Sequence, residues 1–366
     1  MKMQEPVLPG IEISIAELTA EAIALLKTLI AIPSFSREEK GTADVLQEFL
    51  EIRGIKTFRE GNNVWAKNEQ YNPELPTVLL NSHHDTVKPA AGYTLNPFES
   101  VEKEGKLFGL GSNDAGGALV SLLAAFLHFY EKENLEYNLV FAATAEEEIS
   151  GTGGVESILP LLGKIDFAIV GEPTQMQLAV AEKGLMVLDC VANGKASHAA
   201  HDNPDNAIVN AMKDIEWFSN FSFPEKSEWL GEVKMNVTMI KSGTQHNVIP
   251  SLCVFTVDVR TTDVYSNSEA LEIIRENVSC LVKPRSLRLN SSSIEKDHPF
   301  ITAAEMFGCS CFGSPTLSDQ ALMNFPSVKI GPGNSLRSHS ADEFIYLNEI
   351  EEGIELYIKI LSAYLQ

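Results

Sequence analysis

Histidines and carboxylates follow the apolar runs of this chain. "TVLLNS" leads into His83–Asp85, "NLVFAAT" into Glu146–Glu148, "DFAIVG" into Glu172 and, after a short loop, "SVKIGPG" into His339. Asp114 lies in "GLGSNDAGG", immediately before a helical stretch. Imidazole and carboxylate groups are the ligands of catalytic zinc centres, so these residues are candidate metal ligands.

The apolar runs that precede these residues predict strands buried on both faces, because their apolar residues do not alternate with polar ones. Two helical stretches, Ile15–Ile32 and "TADVLQEFLEIRG", precede the first run, and a third, "AGGALVSLLAAFLHFYEKE", lies between the first two runs. Alternating helices and strands favour a doubly wound α/β fold. In open α/β sheets, sites form outside the carboxyl ends of the strands, where these polar residues would meet.

Each candidate also has a simpler interpretation. A single histidine at a strand end is more often a hydrogen-bonded polar residue than a ligand. Glu146–Glu148 alone would be a solvated acidic turn, and Asp114 alone would be a helix N-cap. Their joint position at one edge of the inferred sheet favours the metal site.

The middle of the chain has a different pattern. In stretches such as "LMVLDCVANG" and "CVFTVDVRTT", apolar and polar residues alternate, which is typical of an antiparallel sheet with one face open to solvent. Two amphipathic stretches predict helices. We therefore predict a catalytic α/β domain over 1–181 and 287–366, with a small α+β domain over 182–286 inserted into it.

Composition limits the class of protein. The chain has 366 residues and a formal net charge of -22, which argues against binding to nucleic acid. The N-terminal "MKMQEPVLPG" lacks the apolar core of a signal peptide. No apolar stretch is long enough to span a membrane. Five sparse cysteines fit a reducing compartment, so we expect a cytoplasmic protein.

Seven motifs, in order along nearly the whole chain, resemble those of a family of co-catalytic zinc hydrolases. That family includes acetylornithine deacetylase, succinyl-diaminopimelate desuccinylase, aminoacylase and glutamate carboxypeptidase. The motifs are "NSHHDTV", "GLGSNDAGG", "AEEEISGTGG", "VGEPT", "GKASHAAHDNPDNAI", "GTQHNVIPSLCVFTVDVR" and "GPGNSLRSHSADEFI". The resemblance implies a zinc-peptidase-like α/β sandwich with an inserted α+β lid and dimerisation domain.

The resemblance also implies the metal ligands. His83 and Glu172 would bind one zinc ion, Glu148 and His339 the other, and Asp114 would bridge the two. Cobalt or manganese would be possible substitutes for zinc. Two further residues would support the reaction, with Glu147 as general base and Asp85 accepting the second ring N–H of His83. His84 would point to the opposite side of the strand.

The resemblance assigns other residues to substrate. His198 would reach the active site of a partner subunit and stabilise the oxyanion, and nearby His201 competes for that role. Asn247, Arg260 and Gly333 would bind substrate, with the Arg260 guanidinium on a substrate carboxylate. These roles imply a homodimer that acts on a small N-acyl amino acid.

The predicted reaction is hydrolysis of an N-acyl amino acid, with N-acetylornithine in arginine biosynthesis as the leading substrate. Alternatives are a succinyl-diaminopimelate desuccinylase-like activity, a dipeptidase or carboxypeptidase, and a non-catalytic ligand-binding homologue. The family often has Arg between the glycines of its second motif and Met-Lys-Gly after the aspartate. Here Leu110 and Ala115–Gly117 stand at those positions. The subfamily and the substrate are therefore less well determined than the reaction.

Overall fold

A computed structural model describes residues 14–365. Its α-helices are α1 (Ile15–Ile30), α2 (Lys40–Glu51), α3 (Gly117–Phe129), α4 (Val155–Leu162), α5 (Ala207–Asn220), α6 (Asn267–Asn277), α7 (Pro299–Glu305) and α8 (Leu347–Tyr364). None of the helices described is both long and apolar enough to cross a bilayer.

The strands of the same residues are β1 (Thr57–Glu60), β2 (Asn63–Lys67), β3 (Thr77–His83), β4 (Val101–Lys103), β5 (Lys106–Phe108), β6 (Asn138–Thr144), β7 (Phe167–Val170), β8 (Leu178–Glu182), β9 (Met186–Asn193), β10 (Ser197–His198), β11 (Lys234–Ser242), β12 (Val248–Ile249), β13 (Leu252–Arg260), β14 (Leu281–Pro284), β15 (Ser292–Ser293), β16 (Cys311–Ser314), β17 (Ser327–Lys329) and β18 (Phe344–Tyr346).

The chain forms two compact units. The first contains residues 14–178, 297–310 and 329–365 of the described range, and the second contains 179–296 and 311–328. The second unit is wider than the predicted insertion of 182–286. The predicted domain boundaries themselves stay a prediction.

In the first unit, strands β1, β2, β6, β3 and β7 lie side by side in that order. Strand β3 is parallel to both β6 and β7, whereas β2 runs antiparallel to β6. Every residue of β3 and β6 is buried, as their unalternated apolar sequences predict. The carboxyl ends of these three parallel strands therefore meet at one edge.

Helices cover this sheet. Helix α3 contacts β3 and β6 and packs against α1 and α8, while α2 contacts β1 and β2. Helix α1 begins at a capping box in which Ser14 and Glu17 exchange hydrogen bonds. It buries Leu18, Leu25 and Leu29 on one face, which confirms the helical spacing seen in the sequence.

The second unit holds a four-stranded antiparallel sheet in the order β11-β13-β9-β14. Along β9, alternate residues such as Leu188 and Cys190 are buried, and β13 follows the same rule. Helix α5 packs on this sheet, and Ala270 and Ile274 of α6 belong to the same core. The predicted fold class, an α/β domain with an added α+β domain, is confirmed.

Candidate metal centre

Two groups of metal-ligating side chains lie at the carboxyl ends of the parallel strands and share one residue. His83, Asp114 and Glu172 form one group, and Asp114, Glu148 and His339 form the other. Within each group the ligand atoms lie within 4.8 Å of one another. Asp114 belongs to both groups, so its two oxygens face different partners.

The distances show how Asp114 lies between the histidines. His83 Nε2 is 3.4 Å from Asp114 Oδ1, and His339 Nε2 is 3.5 Å from Asp114 Oδ2. His83 Nε2 is also 3.8 Å from Glu172 Oε1, and His339 Nε2 is 2.9 Å from Glu148 Oε2. Each histidine therefore faces two carboxylates of its own ligand group.

The local backbone explains these positions. His83 is the last residue of β3, and Glu172 follows β7 by two residues. The N–H of Ile330 donates to the carbonyl of Val170 at 3.0 Å, which brings the segment before His339 beside β7. Asp114 precedes α3, whose first residue is Gly117, so the N-cap interpretation of Asp114 is wrong.

Glu147 and Glu148 are largely shielded from solvent, with side-chain exposures of 12% and 7%. The interpretation of this segment as a solvated acidic turn is therefore wrong. Glu147 Oε2 lies 3.9 Å from His83 Nε2. This places a carboxylate that belongs to neither ligand group beside the first of them.

Asp85 makes hydrogen bonds that the sequence did not indicate. His83 Nδ1 donates to the backbone carbonyl of Asp85 at 3.0 Å, while the carboxylate lies farther away, at 3.4 Å. The carboxylate instead accepts the N–H groups of Glu147 at 3.0 Å and Glu148 at 3.2 Å, and the hydroxyl of Ser36 at 2.7 Å. We predicted that this carboxylate accepts the second ring N–H of His83, and the carbonyl of the same residue lies closer to that nitrogen.

The neighbouring histidine, His84, is hydrogen-bonded to residues outside the two ligand groups. His84 Nε2 donates to the carbonyl of Asn62 at 2.9 Å, and Nδ1 lies 2.9 Å from Thr42 Oγ1. Burial lowers the pKa of His84 to about 4, against the attraction of Asp85. The ring is therefore neutral and held away from the metal ligands.

The charges of the cluster are strongly coupled. Burial lowers the pKa of His83, but Glu147 and Asp114 outweigh it and raise that pKa well above its usual value. A hydrogen bond with Glu148 raises the pKa of His339 to about 9. Burial raises the pKa of Glu172 to about 8, although His83 opposes this shift. Without a metal these groups retain protons that a cation would displace.

The chemistry of these residues fits metal ions. His83 Nε2 is fully buried and makes no hydrogen bond, although three carboxylates surround it at 3.4–3.9 Å. A buried polar atom needs a partner, and a cation between the ring and the carboxylates would supply one. Imidazole and carboxylate donors in two groups with one shared member suit a pair of zinc ions.

A comparison with known proteins identifies the family. The family described as peptidase family M20/M25/M40 matches residues 79–363. The chain belongs to the M20 peptidase family. The match includes the five candidate ligands together with Asp85 and Glu147.

Relatives in the M20 family carry several activities. A succinyl-diaminopimelate desuccinylase of Orientia tsutsugamushi is 25% identical, covering 94% of this chain and 96% of its own length. A probable carboxypeptidase of Aspergillus flavus is also 25% identical, covering 92% of this chain and 88% of its own length. The structure of the YXEP protein of Bacillus subtilis, described as a dinuclear metal binding peptidase from the M20 family, has a TM-score of 0.71. It is 16% identical and covers 96% of this chain and all of that one.

The predicted substrate residues divide between the units of this M20 chain. Gly333 lies in the first unit beside Asn113, with a φ of +93°. His198, Asn247 and Arg260 lie in the second unit. The Arg260 guanidinium there binds the Asp258 carboxylate at 2.8 and 3.1 Å.

The local contacts of the second-unit residues do not decide whether His198 or His201 has the oxyanion role. His198 Nδ1 accepts the N–H of Ala200 at 3.1 Å, and the rings of His198 and His201 are 5.8 Å apart. The carbonyl of Asn247 accepts the N–H of Ala199 at 2.9 Å. The substrate and oxyanion roles of these residues stay predictions.

One residue at the site was missed by the sequence reasoning. Glu343 is 2% exposed, and its carboxylate accepts backbone N–H groups of Gly111, Asn113 and Asp114. Burial raises its pKa to about 7, against these hydrogen bonds. Its position four residues after His339 was a possible signal, but nothing in the sequence tells which main-chain groups it meets.

Proposed function

We propose that this chain is a two-zinc hydrolase that cleaves the amide bond of a small N-acyl amino acid or peptide. The observation that carries this proposal is the pair of ligand groups that share Asp114, with the Glu147 carboxylate 3.9 Å from His83 Nε2. A non-catalytic binding protein would have no use for that additional, largely shielded carboxylate.

The ligands would be His83 and Glu172 on one side, Glu148 and His339 on the other, with Asp114 bridging. Ions bound there would polarise the scissile carbonyl and acidify a water molecule.

The residues around the ligands would move and hold protons. Glu147 would take the proton of the attacking water and deliver it to the leaving amine, a contribution of about 10²–10⁴ in rate. Asp85 would hold the main chain of Glu147 and Glu148 through the two N–H bonds described above. It acts through those residues and touches no substrate.

For the substrate, we favour an N-succinyl amino acid or a peptide with a free carboxylate over N-acetylornithine. The relatives named above are a desuccinylase and a probable carboxypeptidase, and this supports the alternative rather than arginine biosynthesis. Arg260 would bind the substrate carboxylate. The cysteines are free thiols, which supports the proposed cytoplasmic location.

The test is amine release from three compounds: N-succinyl-diaminopimelate, a dipeptide and N-acetylornithine. Each is incubated with chelator-stripped protein before and after Zn²⁺ is restored. Zinc-dependent cleavage of either of the first two supports the proposal. Selective cleavage of N-acetylornithine overturns the substrate preference, and cleavage of none overturns the proposed reaction.

We also propose a homodimer formed through the second unit. Strand β11 is an edge strand that pairs with β13. Its residues Met239 and Ile240 are 65% and 57% exposed, and Met212 of α5 is 60% exposed. An exposed apolar edge is a template for strand addition, and a second copy of the same edge would pair with it antiparallel.

Sedimentation equilibrium tests the dimer. Ile240→Lys puts a charge on the edge and should give a monomer, whereas Met306→Lys, at an exposed apolar residue of the other unit, should not. A monomeric wild-type protein overturns the dimer. If the Ile240→Lys monomer retains full turnover, the proposed action of His198 in a partner's site is wrong.

A further inference from the structure

Glu343 is a buried carboxylate that belongs to neither ligand group. It directly precedes β18, and its side chain meets the loop that carries Asp114. Oε1 accepts the N–H groups of Asn113 and Asp114, both at 2.9 Å, and Oε2 accepts that of Gly111 at 3.2 Å. Three N–H groups of one short loop therefore converge on a single carboxylate.

The backbone conformation of that loop leaves N–H groups that need a hydrogen-bond acceptor from outside the loop. Gly111 has a φ of +75°, and a Cβ there would lie 2.6 Å from Thr86. The segment is followed by α3, but Asp114 and Ala115 do not have helical backbone angles. Buried N–H groups outside regular helical hydrogen bonding need another partner. An ionised carboxylate is among the strongest acceptors available.

A second contact holds the same loop from the segment before His339. Asn113 Oδ1 accepts the N–H of Asn334 at 3.0 Å, and Asn113 Nδ2 donates to the carbonyl of Asn334 at 3.1 Å. Glu343 lies four residues beyond His339 on the same stretch of chain. The loop that carries Asp114 is thus hydrogen-bonded to a residue before His339, Asn334, and to a residue after it, Glu343.

We propose that Glu343 is a positioning residue that holds Asp114 where its two oxygens can serve two metal ions at once. Glu343 belongs to neither ligand group, and it acts through the main-chain N–H groups of Gly111, Asn113 and Asp114. This inference rests on the proposed two-metal site. Partners that orient ligands typically change metal affinity by about 10–100-fold when they are removed.

Glu343→Gln is the informative substitution. It keeps the size of the side chain, but it replaces one acceptor oxygen by an NH₂ donor. That donor would face an N–H of the loop, so at least one of the three hydrogen bonds is lost. The loop around Asp114 should then move, and the two Asp114 oxygens should shift relative to the other ligands.

Asp342→Asn is the matched control. Asp342 is the adjacent residue, and its carboxylate also accepts three hydrogen bonds, from Thr94 N at 2.8 Å, Thr94 Oγ1 at 2.6 Å and Leu95 N at 3.0 Å. These donors belong to a loop that carries no ligand. The same acid-to-amide change therefore disturbs a similar network away from Asp114.

The measurement is calorimetric titration of metal-free protein with Zn²⁺, together with electron paramagnetic resonance of the Mn²⁺-loaded protein. Wild type should bind two ions, and Mn²⁺ spins joined by Asp114 should be exchange-coupled. Glu343→Gln should weaken at least one ion by tenfold or more and reduce the coupling, with Asp342→Asn like wild type. No substrate is involved, so the result does not depend on the reaction.

Each other result overturns the proposal. A loss below tenfold in Glu343→Gln, or an equal loss in Asp342→Asn, shows that Glu343 does not position the bridge. If circular dichroism shows that Glu343→Gln is unfolded, Glu343→Asp is measured with the same threshold. If neither folds, Glu343 supports the fold and not the metal spacing. A wild type that binds no metal overturns the proposed function itself.

Discussion

The buried, neutral state of His84 predicts how acid weakens the metal-free protein. His84 is 6% exposed and has a pKa of about 4 in the folded state, compared with about 6.5 when unfolded. Above both values the ring is neutral in either state. As the pH falls below about 6.5, the unfolded chain binds a proton that the folded protein refuses until the pH approaches 4.

The magnitude follows from the two pKa values. Their difference, about 2.5, corresponds to about 3 kcal/mol of unfolding free energy at about 1.4 kcal/mol per pKa unit. About 2 kcal/mol of this is lost between pH 7 and pH 4.5. Stability due to His84 is therefore complete above about pH 6.5 and falls as the pH is lowered toward 4.

The assay is urea unfolding of metal-free wild type and His84→Gln at pH 7 and at pH 4.5. The stability advantage of wild type over the variant should shrink by about 2 kcal/mol over this range. His246→Gln, which removes an exposed histidine, is the control. If the advantage over His84→Gln is the same at both pH values, His84 is not a buried neutral ring.

Three further predictions concern the site. Zinc binding at pH 7 should release protons from His83 and His339, because both pKa values are raised, and calorimetry in buffers of different ionisation enthalpy would measure them; no release contradicts the raised values. Gly333→Ala should lower turnover, because its Cβ would lie 2.6 Å from Asn113 Oδ1 at a φ of +93°; unchanged steady-state rates would show that the loop tolerates the clash. Arg260→Lys should raise KM more than it lowers kcat, since lysine lacks the bidentate fork; an unchanged KM removes Arg260 from substrate binding.

Local patterns in the sequence predicted much of the fold. Apolar runs without alternating polar residues predicted β3 and β6, where every residue is buried. Alternation of apolar and polar residues predicted β9 and β13. Helical spacing gave α1, which ends at Ile30 rather than at the predicted Ile32. These features depend on the neighbours of each residue along the chain, which is why a single sequence reveals them.

The site was predictable only in part. His83 ends one buried strand and Glu172 follows another, so the sheet rule brings them together. The contacts of Glu343 with Gly111 and Asp114 join residues more than 220 positions apart, as their separations of 232 and 229 show. They are made to main-chain N–H groups, which every non-proline residue carries, so side-chain identity gives no signal.

Glu147→Gln tests the central claim, that a carboxylate beside a two-metal site acts as the general base. Zinc content and zinc-dependent amine release are measured for this variant, with Glu146→Gln as the matched control. Glu146 faces Arg37 and Gly153 and lies outside both ligand groups. The variant should bind two zinc ions and turn over about 10²–10⁴-fold more slowly than the control. Two bound ions with turnover equal to that of the control would contradict the role of Glu147.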